Sequence, residues 1–196
     1  LSALGFTEHS FAHVTKCAEV AARILTQLGY SPKEVELAKI AAFMHDIGNV
    51  VNRHDHALSG ATMAFRILDK MGMEPPDVAA VITAIGHHDD STAYPVNAIA
   101  AALILADKTD VRRSRVRNKD MSTFDIHDRV NYAVEKASTT LDAAGKAVVL
   151  DLQLDTGMSP VIDYFEIFLE RMLLCRKAAE KLGLSFRLVV NGQTVL

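Results

Sequence analysis

Met44-His45-Asp46-Ile47-Gly48 closes an apolar run that begins at Val35. Leu37, Ile40, Ala41 and Met44 recur at helical spacing, which predicts a helix over residues 35–44 with one buried stripe. His45 continues toward the buried side, and Gly48 reads as a natural helix stop. A carboxylate set into such a stripe is costly unless it is paired or bound to a metal. These five residues therefore predict a helical core with His45 and Asp46 inside it, side by side. His13, His56, His87, His88 and Asp107 are the partners that the rest of the chain supplies.

Working outward, Phe11, Val14, Ala18, Ala21, Leu25 and Leu28 predict a helix over residues 8–28. Ser31-Pro32-Lys33-Glu34 is a capping box with proline at the first helical position, and it opens the helix that ends at His45-Asp46. A third helix is expected over 56–71, with Ala64, Ile67, Leu68 and Met71 inside. A fourth runs from Pro75 to about Gly86, and His87-His88 follows it directly. Residues 96–111 are apolar on nearly all faces until Asp107, as expected of the most buried helix. Residues 125–143 read as helical, with Val130, Ala133, Val134, Ala137 and Leu141 inside. Residues 147–154 alternate and are β-branched early, which predicts a strand. Ser159-Pro160 starts a long helix to Leu182. Two short strands, 186–190 and 193–196, flank Asn191-Gly192, a strong hairpin signal. The expected fold is mainly α: a helical domain over 1–145, and over 146–196 a small antiparallel β element with one long helix.

The composition is that of an ordinary globular chain: 196 residues, 49% apolar and 23% charged. A formal charge of −3 gives no basic field of the kind that nucleic-acid polymers require. The longest apolar run, Ala98 to Ala106, is too short to span a membrane. Cys17 and Cys175 lie far apart in helical runs and read as reduced core residues of a cytoplasmic protein. The chain begins at Leu1 rather than methionine, which leaves room for native residues ahead of it.

Each candidate has an ordinary reading beside the chemical one. His45-Asp46 at a surface helix end is the weaker alternative, because the flanking stripe is apolar. His13 alone would be a partly buried histidine. Asp107, ending a buried helix, needs a partner. Together, one histidine on each of two helices, an aspartate beside the second and a distant aspartate form a nitrogen and oxygen ligand set suited to a transition metal. For His56, capping is as good a reading as ligation, and His54 reads as a loop residue. Adjacent histidines such as His87 and His88 can both face a cleft.

The order His13 … His45-Asp46 … Asp107 resembles the HD-domain superfamily of metal-dependent phosphohydrolases. The likeness extends to Phe11-Ala12-His13-Val14, Ala41-Ala42-Phe43-Met44-His45-Asp46-Ile47-Gly48 and Leu105-Ala106-Asp107, and it covers residues 8–112. It implies an all-helical core and one or two divalent transition metals, Mn, Fe, Co, Ni or Zn. Resemblance to the two-metal members, through His56-Ala57-Leu58-Ser59-Gly60-Ala61 and His87-His88, implies that Asp46 bridges two cations. One would be held by His13, His45 and Asp107, the other by His56 and His87 with His88 as a further ligand. His45 and Asp46 are then the catalytic pair. Two cations ~3.5–4 Å apart share and activate a hydroxide for in-line attack on phosphorus.

The chain resembles the HD-GYP branch, which hydrolyses cyclic di-GMP, but with a degenerate motif that places it near that branch and not inside it. Asn49 stands where that branch has lysine, and Ala93-Tyr94-Pro95 lacks the glycine of its Gly-Tyr-Pro. His9 and Asp110 are candidates for a third-metal or outer-shell role. Arg112, Arg113, Lys108 and Arg53 are candidates for substrate phosphate, since guanidinium suits phosphate geometry. A solvated polar face is the commoner reading of the run 112–117.

The expected activity is cleavage of a phosphoester or phosphoanhydride in a nucleotide-like small molecule by a metal-activated hydroxide. The expected partner is that phosphorylated small molecule, with neither a nucleic acid polymer nor a membrane; oligomeric state stays open, a homodimer included. Two rivals remain: a di-iron oxygenase on similar ligands, and a non-catalytic sensory module.

Overall fold

Helix α5 (Ala98–Lys108) is the axis on which the other elements pack. Ile99 to Ala106 are all buried, and Asn97 caps the helix by accepting the backbone N–H of Ala100 at 2.8 Å. In the computed structural model, residues 11–90, 92–142, 144 and 146–196 are described. Among them α1 (Phe11–Gln27), α2 (Pro32–Met44) and α4 (Pro75–Gly86) pack against α5, and α3 (His56–Lys70) packs on α4. The capping box at Ser31 is formed: its side chain accepts from the Glu34 N–H, and Glu34 accepts from the Ser31 N–H. Helix α7 (Val161–Lys181) also packs against α5. No described helix is long and apolar enough to cross a membrane.

The buried faces are rotated slightly from those expected. In α2 the fully buried residues are Leu37, Ala38, Ala41 and Ala42, while Ile40 and Met44 are half-buried. Ile67 and Met71, expected inside, are exposed, and so is Phe11. Cys17 and Cys175 are buried free thiols.

The stretch 125–143 corrects the expectation of one helix. It is helical only over α6 (Ile126–Ala133) and continues as strand β1 (Val134–Asp142). Val134, Ala137 and Leu141 do fall at helical intervals, but β1 has a pairing partner in β2 (Ala147–Leu154), and that non-local ladder overrides the local period. The sheet continues through β3 (Ser185–Val190) and β4 (Gln193–Thr194), in the order β1-β2-β3-β4. It is mixed rather than wholly antiparallel: β2 and β3 pair in parallel, because the connection between them contains α7. The β3–β4 hairpin turns at Asn191 (φ 51°) and Gly192 (φ 80°), the two positive-φ positions of a tight turn. The expected division after residue 145 falls between two paired strands, and buried side chains of the sheet and of α1, α5 and α7 belong to one core.

Candidate metal centre

Gly48 places the central pair, though not as a helix stop. Helix α2 ends at Met44 with His45 as its C-cap, and Gly48 lies in a 3-10 turn over Ile47–Val50 without positive φ. Its role is close approach: a Cβ there would meet the His56 carbonyl oxygen at 2.0 Å and the Gly60 nitrogen at 2.6 Å. This contact seats the turn on α3 and brings His56 to the pair.

His13, His45, His56 and His88 are all buried. Each turns Nδ1 outward to an acceptor. His45 donates to the Ala42 carbonyl at 2.6 Å, His56 to the Arg53 carbonyl at 3.0 Å and His88 to the Ile85 carbonyl at 2.6 Å. His13 donates to Asp110 Oδ2 at 2.7 Å. A carbonyl or carboxylate can only accept, so each Nδ1 carries a proton, and a ring in its neutral form presents its lone pair at Nε2.

Those lone pairs converge on two carboxylates. His13 Nε2 lies 3.2 Å from Asp107 Oδ1 and 3.7 Å from Asp46 Oδ2. His45 Nε2 lies 3.4 Å from Asp46 Oδ2 and 3.8 Å from Asp107 Oδ1. On the other side of Asp46, Oδ1 lies 3.5 Å from His56 Nε2, which is 3.2 Å from His88 Nε2. Acceptors facing acceptors repel unless a cation lies between them. With metal bonds of about 2.0–2.2 Å to nitrogen and oxygen, adjacent ligand atoms stand about 3–3.5 Å apart, and the distances here run from 3.2 to 3.8 Å. His45 Nε2 is buried and makes no hydrogen bond among the described residues. The donor set suits a divalent transition metal: His13, His45 and Asp46 group on one side and Asp46, His56 and His88 on the other, while Asp107 lies near His13 and His45 on the first side and also groups with His45 and His88.

Electrostatics agree. Burial opposes charge on His45, yet Asp46 and then Asp107 raise its pKa, so the cluster draws positive charge, proton or metal, to this point. Burial, His45 and Lys108 push His88 down to about 3, and burial and Arg53 lower His56, so the surroundings favour the neutral form of both imidazoles. Asp107 lies well below the usual carboxylate range: burial resists ionisation, but the charge of the adjacent Lys108 prevails.

The other candidates sit as follows. His87 is half-buried and belongs to none of the ligand clusters among the described residues; its neighbour His88 turns in instead. Asp110 stands behind His13, as an outer-shell residue. Lys108 is buried, with Nζ 2.8 Å from Asp107 Oδ2 and 3.0 Å from Asp90 Oδ1, so it backs the centre rather than lining its mouth. Arg112 is turned onto Asp110, with Nε and Nη2 donating to its two carboxylate oxygens at 2.8 and 3.0 Å. Arg113 lies over the Tyr132 ring, 4.5 Å from its centroid, and donates to the Tyr132 carbonyl. Neither arginine reaches the cluster, because the chain leaves α5 at Lys108 and the helical continuation that would have aimed them there is absent. Arg53 does reach it, with Nη1 3.1 Å from His56 Nε2. His9 lies outside the described residues.

Sequence reasoning passed over Lys16, Arg115 and the bond from Asn49. Lys16 Nζ lies 2.7 Å from Asp110 Oδ1, and Arg115 donates to the Asp110 carbonyl at 2.7 Å. Asn49 donates to Asp46 Oδ1 at 2.7 Å. Lys16 lies three residues after His13, one helical turn on, which was the available signal. An apolar groove of about 1000 Å³, lined by Phe11, Phe43, Met44, Ile47 and Met71, has Asp46 in its wall.

Comparison with known proteins points the same way. Residues 10–131 match the HD domain family. A Ribonuclease Y from Chloroflexus aurantiacus is 31% identical over 146 residues, which is 72% of this chain and 26% of the relative. A Ribonuclease Y from Cutibacterium acnes is 28% identical over 142 residues, 70% of this chain and 23% of the relative. The chain thus spans about a quarter of the length of the relatives it matches. No solved structure matches it at a significant level. With the matched region running from α1 into α6 and carrying every side chain of the cluster, the chain belongs to the HD domain family.

Proposed function

We propose that this chain is a metal-dependent phosphohydrolase that cleaves a phosphoester or phosphoanhydride bond in a nucleotide-like small molecule. The observation that supports it most is the convergence of four Nε2 lone pairs on Asp46 and Asp107, with each Nδ1–H turned outward. His13, His45, Asp46, His56, His88 and Asp107 would hold divalent cations, which when bound would supply Lewis acidity to a water and to the phosphoryl oxygens. The residues' own work is to fix that geometry. His45 and Asp46 are the catalytic pair, and Asp46 offers one oxygen to each subsite. Asp107 and His13 complete the first subsite. The groove beside Asp46, with Phe11 and Phe43 at a centroid distance of 6.0 Å, suits the base of a nucleotide.

A second reading, a phosphodiester of RNA as substrate, is favoured by the name of the two relatives. The same experiment tests both: elemental analysis of the purified chain, then hydrolysis of a nucleotide panel and of short RNA oligomers with added Mn²⁺. We expect bound metal, turnover of nucleotides, and loss of metal and turnover in a folded Asp46→Ala variant. Cleavage of oligomers alone would favour the second reading. Near-normal hydrolysis and metal content in Asp46→Ala would overturn both.

A further inference from the structure

The subsite made by Asp46 Oδ1, His56 Nε2 and His88 Nε2 already has a cation at its edge. Arg53 Nη1 stands 3.1 Å from His56 Nε2 and 3.8 Å from Asp46 Oδ1, and 3.4 Å from the Asn49 side-chain oxygen. We propose that the Arg53 guanidinium and a divalent cation compete for this second subsite. The chain then exchanges a one-metal form closed by Arg53 for a two-metal form from which Arg53 has withdrawn. This rests on the reading of the cluster as a metal centre.

Four features carry the argument. First, Arg53 addresses both nitrogens of His56. Its carbonyl accepts the Nδ1–H at 3.0 Å, which fixes the lone pair on Nε2, and its own guanidinium then donates to that lone pair. The same lone pair would ligate a metal, and it cannot do both. Second, a guanidinium keeps its charge at any relevant pH, so only displacement can remove its repulsion of an incoming cation. Third, Arg53 has somewhere to go. Its side chain is 25% exposed, and Nη2 lies 4.0 Å from Asp89 Oδ1, outside the three-ligand set. Fourth, it stands in the loop between the 3-10 turn at Ile47–Val50 and α3, so withdrawal requires no change in a helix. The first subsite is arranged differently. There the neighbouring cation, Lys108, holds Asp107 through Oδ2, leaving Oδ1 toward His13 and His45.

The test uses Mn²⁺ as probe, titrated into metal-stripped wild type, Arg53→Met and Arg53→Gln, with calorimetry for affinity and paramagnetic resonance for the coupled Mn pair. Circular dichroism checks that each variant is folded. If Arg53 occupies the subsite in about ten of every eleven molecules, removing it tightens the second Mn²⁺ about tenfold and leaves the first unchanged. The coupled-pair signal then appears at lower Mn²⁺ in both variants than in wild type. Equal or weaker second-site affinity in both variants overturns the competition, as does a single bound Mn²⁺ in all three proteins. Absence of Mn²⁺ binding at the first subsite as well would overturn the metal-centre reading itself.

Discussion

His13 donates its Nδ1–H to Asp110 Oδ2 at 2.7 Å, and Lys16, Arg112 and Arg115 close on the same aspartate. Burial resists charge on Asp110, but the hydrogen bonds from His13 and Arg112 hold its carboxyl well below the usual range. A permanently ionised acceptor behind His13 fixes the ring's tautomer and aims Nε2 at Asp46 and Asp107. Arg112 and Arg115 thus brace the His/Asp cluster from behind.

Replacing Asp110 by Asn should therefore weaken the first metal by roughly 10–100-fold, as loss of a carboxylate behind a ligating histidine does elsewhere. Calorimetric titration with Mn²⁺ checks it, and unchanged affinity would remove Asp110 from the positioning role. The variant should also unfold more easily at neutral pH. Because the folded-state pKa is depressed, that stabilisation is fully present above the ordinary value of 3.8 and is lost as pH falls through the folded value. The stability gap between wild type and Asp110→Asn should accordingly close only in strong acid.

The adjacent histidines should behave differently. His88→Ala removes an Nε2 that faces His56 at 3.2 Å, so about half the bound metal of a two-cation centre should be lost. His87→Ala should leave metal content unchanged. Elemental analysis of the two variants decides, and loss of metal in His87→Ala with none in His88→Ala would reverse the assignment.

Gly48 should tolerate no side chain. An added Cβ would meet backbone atoms of α3 at 2.0 and 2.6 Å, which no rotamer change can relieve. Gly48→Ala should cost about 3 kcal/mol or more, measured by urea unfolding of the metal-free protein. A loss below about 1 kcal/mol would show that the turn shifts freely on α3.

Metal affinity should rise with pH. His45 has a folded-state pKa above the ordinary 6.5, so in the metal-free protein it retains a proton that a cation must displace. Affinity should climb as pH rises through the His45 value and level off above it, with proton release only on the climbing part. The stabilisation of the metal-free fold by that proton runs the other way: it is fully present below 6.5 and lost as pH rises through the folded value. Titrations in two buffers of different ionisation enthalpy measure the released proton. Release that does not vary with pH would contradict the assignment.

The helical core and its buried polar pair were legible in the chain itself, because periodicity and burial are local properties. An apolar stripe that runs into His45-Asp46, and an aspartate at the end of a wholly apolar helix, state in one dimension that charge is being buried. The hairpin at Asn191-Gly192 was legible for the same reason, since two positive-φ residues carry their own conformational preference. What required the folded chain was everything set by partners distant in sequence. Val134 to Leu141 has a helical period and becomes a strand because β2 is there to pair with it. His87 and His88 are indistinguishable by spacing, and only the end of α4 decides that His88 turns inward onto His56. Arg112 was near Asp107 in sequence and was expected at the mouth. The chain's exit from α5 at Lys108 turns Arg112 onto Asp110 instead, because a buried carboxylate with a histidine on one side binds the nearest guanidinium on the other.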